Sequence, residues 1–114
     1  MFVNEKFQSI VCGAMKPYKK YVRFNIQLLW TADHCNLIDE YNNNVIIARL
    51  NKNGKIGFNR QFLTQQQYEL VQKIGMTMQS NKQYGIDFTE SNYQLIKTIL
   101  TNYCETRKRE LEEE

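Results

Sequence analysis

The stretch YVRFNIQLLW, Tyr21–Trp30, decides the fold class of this chain. Its apolar side chains recur at every second position: Val22, Phe24, Ile26, Leu28 and Trp30. A period of two is typical of a β-strand with one buried face, whereas a helix would spread these side chains around its axis. β-branched and aromatic residues favour the pleated sheet, and neither glycine nor proline interrupts the stretch. We therefore predict a central strand over Tyr21–Trp30.

The segments on either side of this strand also favour β structure, although less strongly. Lys6–Cys12 is interpreted as a first strand, which Gly13 and Pro17 end. The segment 31–44 has two interpretations. Either Thr31 or Asp33 caps a short helix, or Asn36–Tyr41 is a strand closed by a turn of three asparagines. We favour the strand, because runs of asparagine favour tight turns.

A β-hairpin is predicted over Val45–Leu50 and Lys55–Asn59. A two-residue loop would bury Arg49 on the apolar face, whereas a three-residue loop, Lys52-Asn53-Gly54, leaves it outside. The longer loop also places Gly54 at the left-handed position that such loops need. In that register the buried face carries five apolar residues: Ile46, Ala48, Leu50, Ile56 and Phe58.

Two helices are predicted in the second half of the chain, and their starts are alike. Thr64 is the N-cap of the first, with Gln67 completing a capping box, and Thr89 caps the second. Helical spacing predicts two apolar stripes: Tyr68, Val71, Ile74 and Met78 in the first helix, and Tyr93, Ile96, Leu100 and Tyr103 in the second, with Ile99 alongside. This likeness indicates either a duplicated unit or convergence on good capping chemistry, and we favour convergence.

Length and pattern together predict one α+β domain over residues 1–114. It would contain an antiparallel sheet of four or five strands, with two C-terminal helices packed on one face. Residues 1–62 are mainly strands and carry nine bases and four acids, whereas residues 63–114 hold the two helices and carry six bases and eight acids. The sequence leaves the strand order and the oligomeric state open.

Catalytic chemistry is not indicated. The single histidine, His34, lies between Asp33 and Cys35, and neighbours on a strand point to opposite faces, so the three do not form a ready nucleophile–base pair. Asp33, Asp39 and Glu40 suit a solvated loop better than a metal site. We expect no catalytic residue, no metal and no cofactor. A small metal-dependent hydrolase is the third of our functional hypotheses.

Cysteine usage and hydropathy predict a cytoplasmic protein. Cys12, Cys35 and Cys104 show no CxxC spacing, which favours three free thiols in a reducing compartment over zinc binding. The N-terminus has charges where a signal peptide needs an apolar run. No apolar stretch is long enough to span a membrane.

Basic residues interleaved with aromatic ones form the clearest functional signal. They are concentrated in Lys16–Phe24, and the outer face of the predicted hairpin adds further bases. The candidate residues for binding a partner or nucleic acid are Lys16, Lys19, Lys20, Tyr21, Arg23, Arg49, Lys52, Lys55 and Arg60. Cations neutralise phosphates and rings stack on bases, but a solvated sheet face is polar as well.

The pattern leads to two binding hypotheses, and no family resemblance decides between them. The first is a small regulatory or inhibitory protein that docks on a macromolecular partner, of the kind that viruses and mobile elements direct against host machinery, such as an anti-defence inhibitor. Tyrosine and arginine suit this hypothesis, because they often anchor protein interfaces. The alternative is a nucleic-acid-binding protein that uses a basic, aromatic-containing sheet face.

Overall fold

The computed structural model describes residues 4–74, 76–78 and 83–113, which form a two-layer α+β domain. The strands are β1 (Ile26–Trp30), β2 (His34–Asp39), β3 (Val45–Asn51), β4 (Lys55–Asn59), β5 (Met76–Met78) and β6 (Gln83–Asp87). The helices are α1 (Asn4–Met15), α2 (Gln65–Ile74) and α3 (Tyr93–Glu113). Short 3₁₀ turns follow α1 and β4 and precede α3.

The sheet is antiparallel, with the strand order β1-β2-β3-β4-β6-β5. Five of its strands have five to seven residues, and β5 adds three residues at one edge. The predicted α+β class with an antiparallel sheet is therefore confirmed. The stretch that we predicted to be the central strand contains β1. This strand lies at an edge of the sheet, and β5 lies at the opposite edge.

One core lies between the sheet and the helices. Register places the inward side chains of neighbouring strands opposite each other, as with Leu37 and Ala48, or Ile56 and Ile86. All three helices contribute to the same cluster, α1 through Phe7 and α3 through Ile96. The helices therefore pack on one face of the sheet, and the described helices leave its other face uncovered.

The predicted strand over Lys6–Cys12 is wrong, because this segment belongs to α1. The buried residues of α1 are Phe7, Ile10, Val11 and Ala14, followed by Met15. That spacing of three, four and seven is the stripe of a helix rather than the alternation of a strand.

The first half of the predicted strand Tyr21–Trp30 is also wrong, since β1 begins only at Ile26. Val22 is 87% exposed, whereas Phe24 is buried with its ring 5.9 Å from that of Tyr18. The apolar alternation before Ile26 thus belongs to a connecting segment, which inserts the Phe24 side chain into the core.

The strand interpretation of the segment 31–44 is confirmed, although the strand lies two residues earlier than predicted. It covers His34–Asp39, and a turn over residues 40–44 leads into β3. Asn43 and Asn44 have φ values of 58° and 53°. Asparagine tolerates this left-handed region better than most residues do, so the asparagine run fits the turn.

The predicted hairpin register is confirmed. Leu50 pairs with Ile56, and Gly54 in the loop has a φ of 88°. The placement of Ile46 on the buried face is wrong, because the register between β2 and β3 shifts by one residue. Ile47 is the extra residue of this β-bulge and enters the core in place of Ile46.

The two helix starts differ in spite of their similar sequences. Thr64 and Gln67 exchange both capping-box hydrogen bonds, each at 3.1 Å, whereas Thr89 makes no side-chain cap bond and a 3₁₀ turn intervenes before α3. The predicted stripe of α3 is buried or partly buried. That of α2 is wrong beyond Val71, since Ile74 is exposed and Met78 lies in β5.

Candidate functional site

We call the side of the sheet that the described helices leave uncovered the open face. It is formed by the outward residues of the strands: Gln27, Leu29, His34, Asn36, Ile38, Ile46, Arg49, Asn51, Lys55, Asn59 and Asp87. Amides are the most frequent side chains among them, and three are aliphatic. Only one carboxylate is present in this set.

Arg49 lies near the middle of the open face. Its Nε donates a hydrogen bond to Asn36 Oδ1 at 2.8 Å, and no other described residue bonds its guanidinium. On β4 the residue opposite Arg49 is Gly57, which itself pairs with Gly85 on β6. Neither glycine places a side chain beside the guanidinium. Among the described residues, no acceptor is bonded to its two terminal amino groups.

Apolar and amide groups surround this arginine. Ile38 and Ile46 lie opposite each other on β2 and β3, and Leu29 on β1 is 47% exposed. Asn59 donates from Nδ2 to the Ile46 carbonyl at 3.1 Å. The Nδ2 atom of Asn51 is buried without a hydrogen-bond partner among the described residues. A buried donor in this state costs free energy unless it finds an acceptor.

Two of the predicted bases, Lys52 and Lys55, lie at the hairpin end of the sheet and are already paired. Lys52 Nζ is 3.3 Å from Asp33 Oδ1, and Lys55 Nζ is 2.7 Å from Asp87 Oδ1. These pairs are partly or largely exposed, so each contributes little to stability. They nevertheless offset the positive charge that the sequence alone assigned to this surface.

The predicted basic segment does not join the open face. Lys16, Lys19 and Lys20 are exposed in the turns after α1, which lie beside the second half of α3. Tyr18 donates a hydrogen bond to Glu105, and Tyr21 donates one to Glu112 at 2.8 Å. The Glu112 carboxylate raises the pKa of Tyr21. Two glutamates of α3 therefore lie beside this basic segment.

Arg23 and Arg60 are also separated from Arg49. Arg23 lies in the exposed turn before β1. The Arg60 guanidinium stacks 4.0 Å from the centre of the Tyr68 ring, and it donates to the Leu63 carbonyl at 3.3 Å. Arg60 thus helps to position the start of α2 on the helical side.

The residues that we considered for catalysis are dispersed. His34 belongs to the open face, the adjacent Cys35 is fully buried in the core, and Asp33 pairs with Lys52. Burial raises the pKa of the Cys35 thiol to about 12, so this sulfur is poorly suited to act as a nucleophile. Within residues 4–74, 76–78 and 83–113, no group of three His, Cys, Asp or Glu side chains is arranged to hold a metal ion.

A buried polar cluster beneath α3 was missed by sequence reasoning. Asp39 is fully buried, and its Oδ2 accepts hydrogen bonds from Tyr103 at 2.7 Å and from Arg107 Nε at 3.0 Å. Arg107 also bonds Glu110 at 2.6 Å. Burial, followed by the bond to Asp39, raises the pKa of Tyr103. Asp39 and Arg107 are 68 residues apart, and no sequence spacing signals their contact.

A cavity of about 340 Å³ lies between α1 and α3 with Lys6 and Lys97 in its walls, and two further cavities lie on the helical side near α2 and the turn after β4. One of about 200 Å³ borders Tyr103, Arg107 and the 3₁₀ turn after β4. The other, of about 600 Å³, is an open groove between α2 and α3 with Leu70 and Leu95 in its walls. Both are lined mainly by neutral amide, hydroxyl and aliphatic side chains, and neither gathers an excess of one charge.

Comparison of the chain with protein-family models, with curated proteins and with solved structures finds no match. The helices in the described part of the chain are too short or too polar to cross a membrane.

Proposed function

We propose that this chain is a non-catalytic binding protein that docks through its open face on a protein partner and thereby regulates or inhibits it. The partner would present a carboxylate to Arg49. The observation that supports this most directly is the partly buried Arg49 near the middle of the open face, which, among the described residues, has one bond to Asn36 and no bonded carboxylate.

Arginine in this setting is suited to anchor a complex. A guanidinium can form two parallel hydrogen bonds with a carboxylate, and such charge-assisted bonds are stronger than neutral ones. Its Nε is already held by Asn36, so less side-chain freedom is lost when a partner binds. Partly shielded arginines are often the residues whose truncation weakens an interface most.

The groups around Arg49 favour a protein partner over a nucleic acid. Leu29 is 47% exposed and Ile46 is partly exposed, so both can supply aliphatic contacts to a partner. None of the outward side chains that define the open face belongs to Phe, Tyr or Trp, so stacking on bases has no platform there. The two lysines on this side are paired with acids.

The test compares charge reversal on the open face with charge reversal elsewhere. We expect Arg49→Glu to abolish capture of the partner from a host lysate treated with nuclease, because it sets a carboxylate against the partner's carboxylate. Lys19→Glu, an exposed base outside the open face, should capture the same protein as the wild type. Quantitative mass spectrometry would measure the retained proteins, after circular dichroism has shown that both variants fold.

If the wild type and Arg49→Glu retain the same proteins in equal amounts, the open face is not the docking surface. If Arg49→Glu instead loses a captured protein, addition of that purified protein to the wild type and to Arg49→Ala would give the two dissociation constants. We expect a loss of at least roughly tenfold, the change for about 1.4 kcal/mol.

Nucleic-acid binding is the second candidate, and a different surface supports it. Lys16, Lys19 and Lys20 are exposed within five residues, and Lys20 lies 5.4 Å from the centre of the Tyr21 ring. Such binding should weaken steeply as salt is raised. Replacement of all three lysines by alanine should remove most of the affinity for a single-stranded oligonucleotide, measured by fluorescence anisotropy, while Arg49→Ala should leave it unchanged.

A further inference from the structure

We propose that β1 pairs with β1 of a second copy of this chain, so that two copies form one continuous antiparallel sheet. This inference does not depend on the proposed function. It concerns a different part of the sheet, namely the edge at which the strand order begins. In the described residues, β2 is the only strand that pairs with β1.

The hydrogen bonds at both ends of β1 show which of its residues are bonded to β2. Glu40 N–H donates to the Asn25 carbonyl at 3.0 Å, and Thr31 N–H donates to the His34 carbonyl at 2.8 Å. In an antiparallel ladder, hydrogen-bonded and non-bonded pairs alternate. The odd-numbered residues between these two bonds, Gln27 among them, therefore direct their backbone groups toward β2.

The even-numbered residues of β1 direct their backbone groups the other way. The N–H and C=O of Ile26 and Leu28 point to the outer edge of the sheet. They form the kind of template that accepts an additional strand. An occupant must supply an extended segment with the same alternation, and β1 of a second copy has it.

Sequence features that normally protect a free edge are missing from β1. The strand reads Ile-Gln-Leu-Leu-Trp, without a charge, a proline or a glycine. Its pairing with β2 is regular across all five residues, so no bulge turns the edge away. Natural edge strands usually carry at least one of these devices, and their absence indicates that the edge is covered in the working protein.

Self-complementarity identifies the occupant as a second copy. When Leu28 lies opposite Leu28 of the other copy, all five residues of the two strands overlap, and the two leucines exchange a pair of backbone hydrogen bonds. Gln27 then faces Leu29 of the other copy, on the open-face side. The two-fold axis of such a pairing is perpendicular to the sheet, so both helical layers lie on one side and the two open faces join on the other.

The experiment uses charges at positions 27 and 29, which face each other across the predicted two-fold axis. Sedimentation velocity of the wild type over a wide concentration range should show association to twice the monomer mass of 13.6 kDa. The double variant Gln27→Lys/Leu29→Lys places like charges opposite each other and should weaken dimerisation roughly tenfold or more. The double variant Gln27→Lys/Leu29→Glu places opposite charges there and should restore it.

The control is Ile74→Lys, which adds a charge at an exposed apolar side chain on α2 and should leave dimerisation unchanged. A wild type that remains monomeric at every concentration overturns the proposal. So does a dimer that persists in the Lys/Lys variant or is lost in Ile74→Lys. Equal weakening by the Lys/Lys and Lys/Glu variants would overturn the predicted register.

Discussion

Asp39 shows how a single buried carboxylate links the two layers of the domain. It lies on β2, and both of its donors, Tyr103 and Arg107, lie on α3. A buried charge needs partners that replace the water it loses; Oδ2 has two, whereas Oδ1 is buried without a hydrogen-bond partner among the described residues. We expect Asp39→Asn to lower the free energy of unfolding by ~3–5 kcal/mol, because it leaves the Arg107 charge without its buried partner. Urea denaturation would measure the change.

Glu110→Gln is the matched control, since Glu110 is the other acid bonded to Arg107 and its side chain is 54% exposed. An exposed ion pair contributes little, so this change should cost less than about 1 kcal/mol. Equal effects of the two substitutions would contradict the assignment of Asp39 as the principal partner of Arg107.

The two buried thiols predict how stability varies with pH. Burial raises the pKa of Cys35 and of Cys104 to about 12. In the unfolded chain a thiol ionises at its ordinary pKa of about 8.5, so above this pH the unfolded chain releases protons that the folded chain keeps. Stability is therefore fully present below about pH 8.5 and falls above it, by up to about 1.4 kcal/mol per pH unit for each thiol.

Urea denaturation under reducing conditions, at about pH 8 and about pH 10, would measure this fall. The double variant Cys35→Ala/Cys104→Ala should show a shallower pH dependence than the wild type, whatever its absolute stability. Cys12→Ala removes an exposed thiol and should retain the wild-type dependence. A double variant with the wild-type slope would contradict the role of the buried thiols.

At the scale of single elements, the two threonine caps give a direct comparison. Thr64 Oγ1 accepts the Gln67 N–H at 3.1 Å, while Thr89 makes no side-chain cap bond. Thr64→Ala should therefore cost about 1 kcal/mol, whereas Thr89→Ala should cost a few tenths at most. The difference in urea midpoints would measure both. Equal costs would mean that the similar sequences act alike in spite of their different geometry.

Elements whose form depends on local chemistry were predictable from the sequence. The hairpin register followed from Gly54 and from the need to keep Arg49 out of the core, and the capping box followed from Thr64 and Gln67. The bulge at Ile47 was not predictable, because it depends on how β2 and β3 meet. The apolar pattern of Lys6–Cys12 is compatible with the period of a strand and with that of a helix, and only docking against the core selects the helix.

At the scale of the whole molecule, the candidate site was only partly predictable. The outward direction of Arg49 came from the hairpin register. The separation of Lys19 from Arg49 was not predictable in this way, because the turn that carries Lys19 is positioned by the docking of α1 beside α3. The contact between Asp39 and Arg107 likewise forms only when the distant halves of the chain pack together.

The docking of α1 also yields a prediction for the whole domain. Phe7 is fully buried, with its ring 6.4 Å from that of Trp30 and 5.6 Å from that of Phe88. Phe7→Ala should lower the free energy of unfolding by ~3–5 kcal/mol. The fluorescence of the single tryptophan and far-UV circular dichroism should shift together, as expected if α1 belongs to one cooperative unit.

Gln8→Ala, an exposed neighbour on the same helix, is the control and should change stability by no more than about 0.5 kcal/mol. A fluorescence transition that moves alone in Phe7→Ala, with circular dichroism unchanged, would instead make α1 a separately unfolding segment.

The placement of all three helices on one side of the sheet has a consequence for evolution. Core packing constrains the inward residue of each strand, whereas its outward neighbour is constrained much less, so alternate codons of the same strand are under different selection. If the open face binds the proposed partner, substitutions at Gln27, Asn36 or Arg49 alter that binding with little effect on folding. Under that proposal, a few mutational steps would change the partner while the fold is retained.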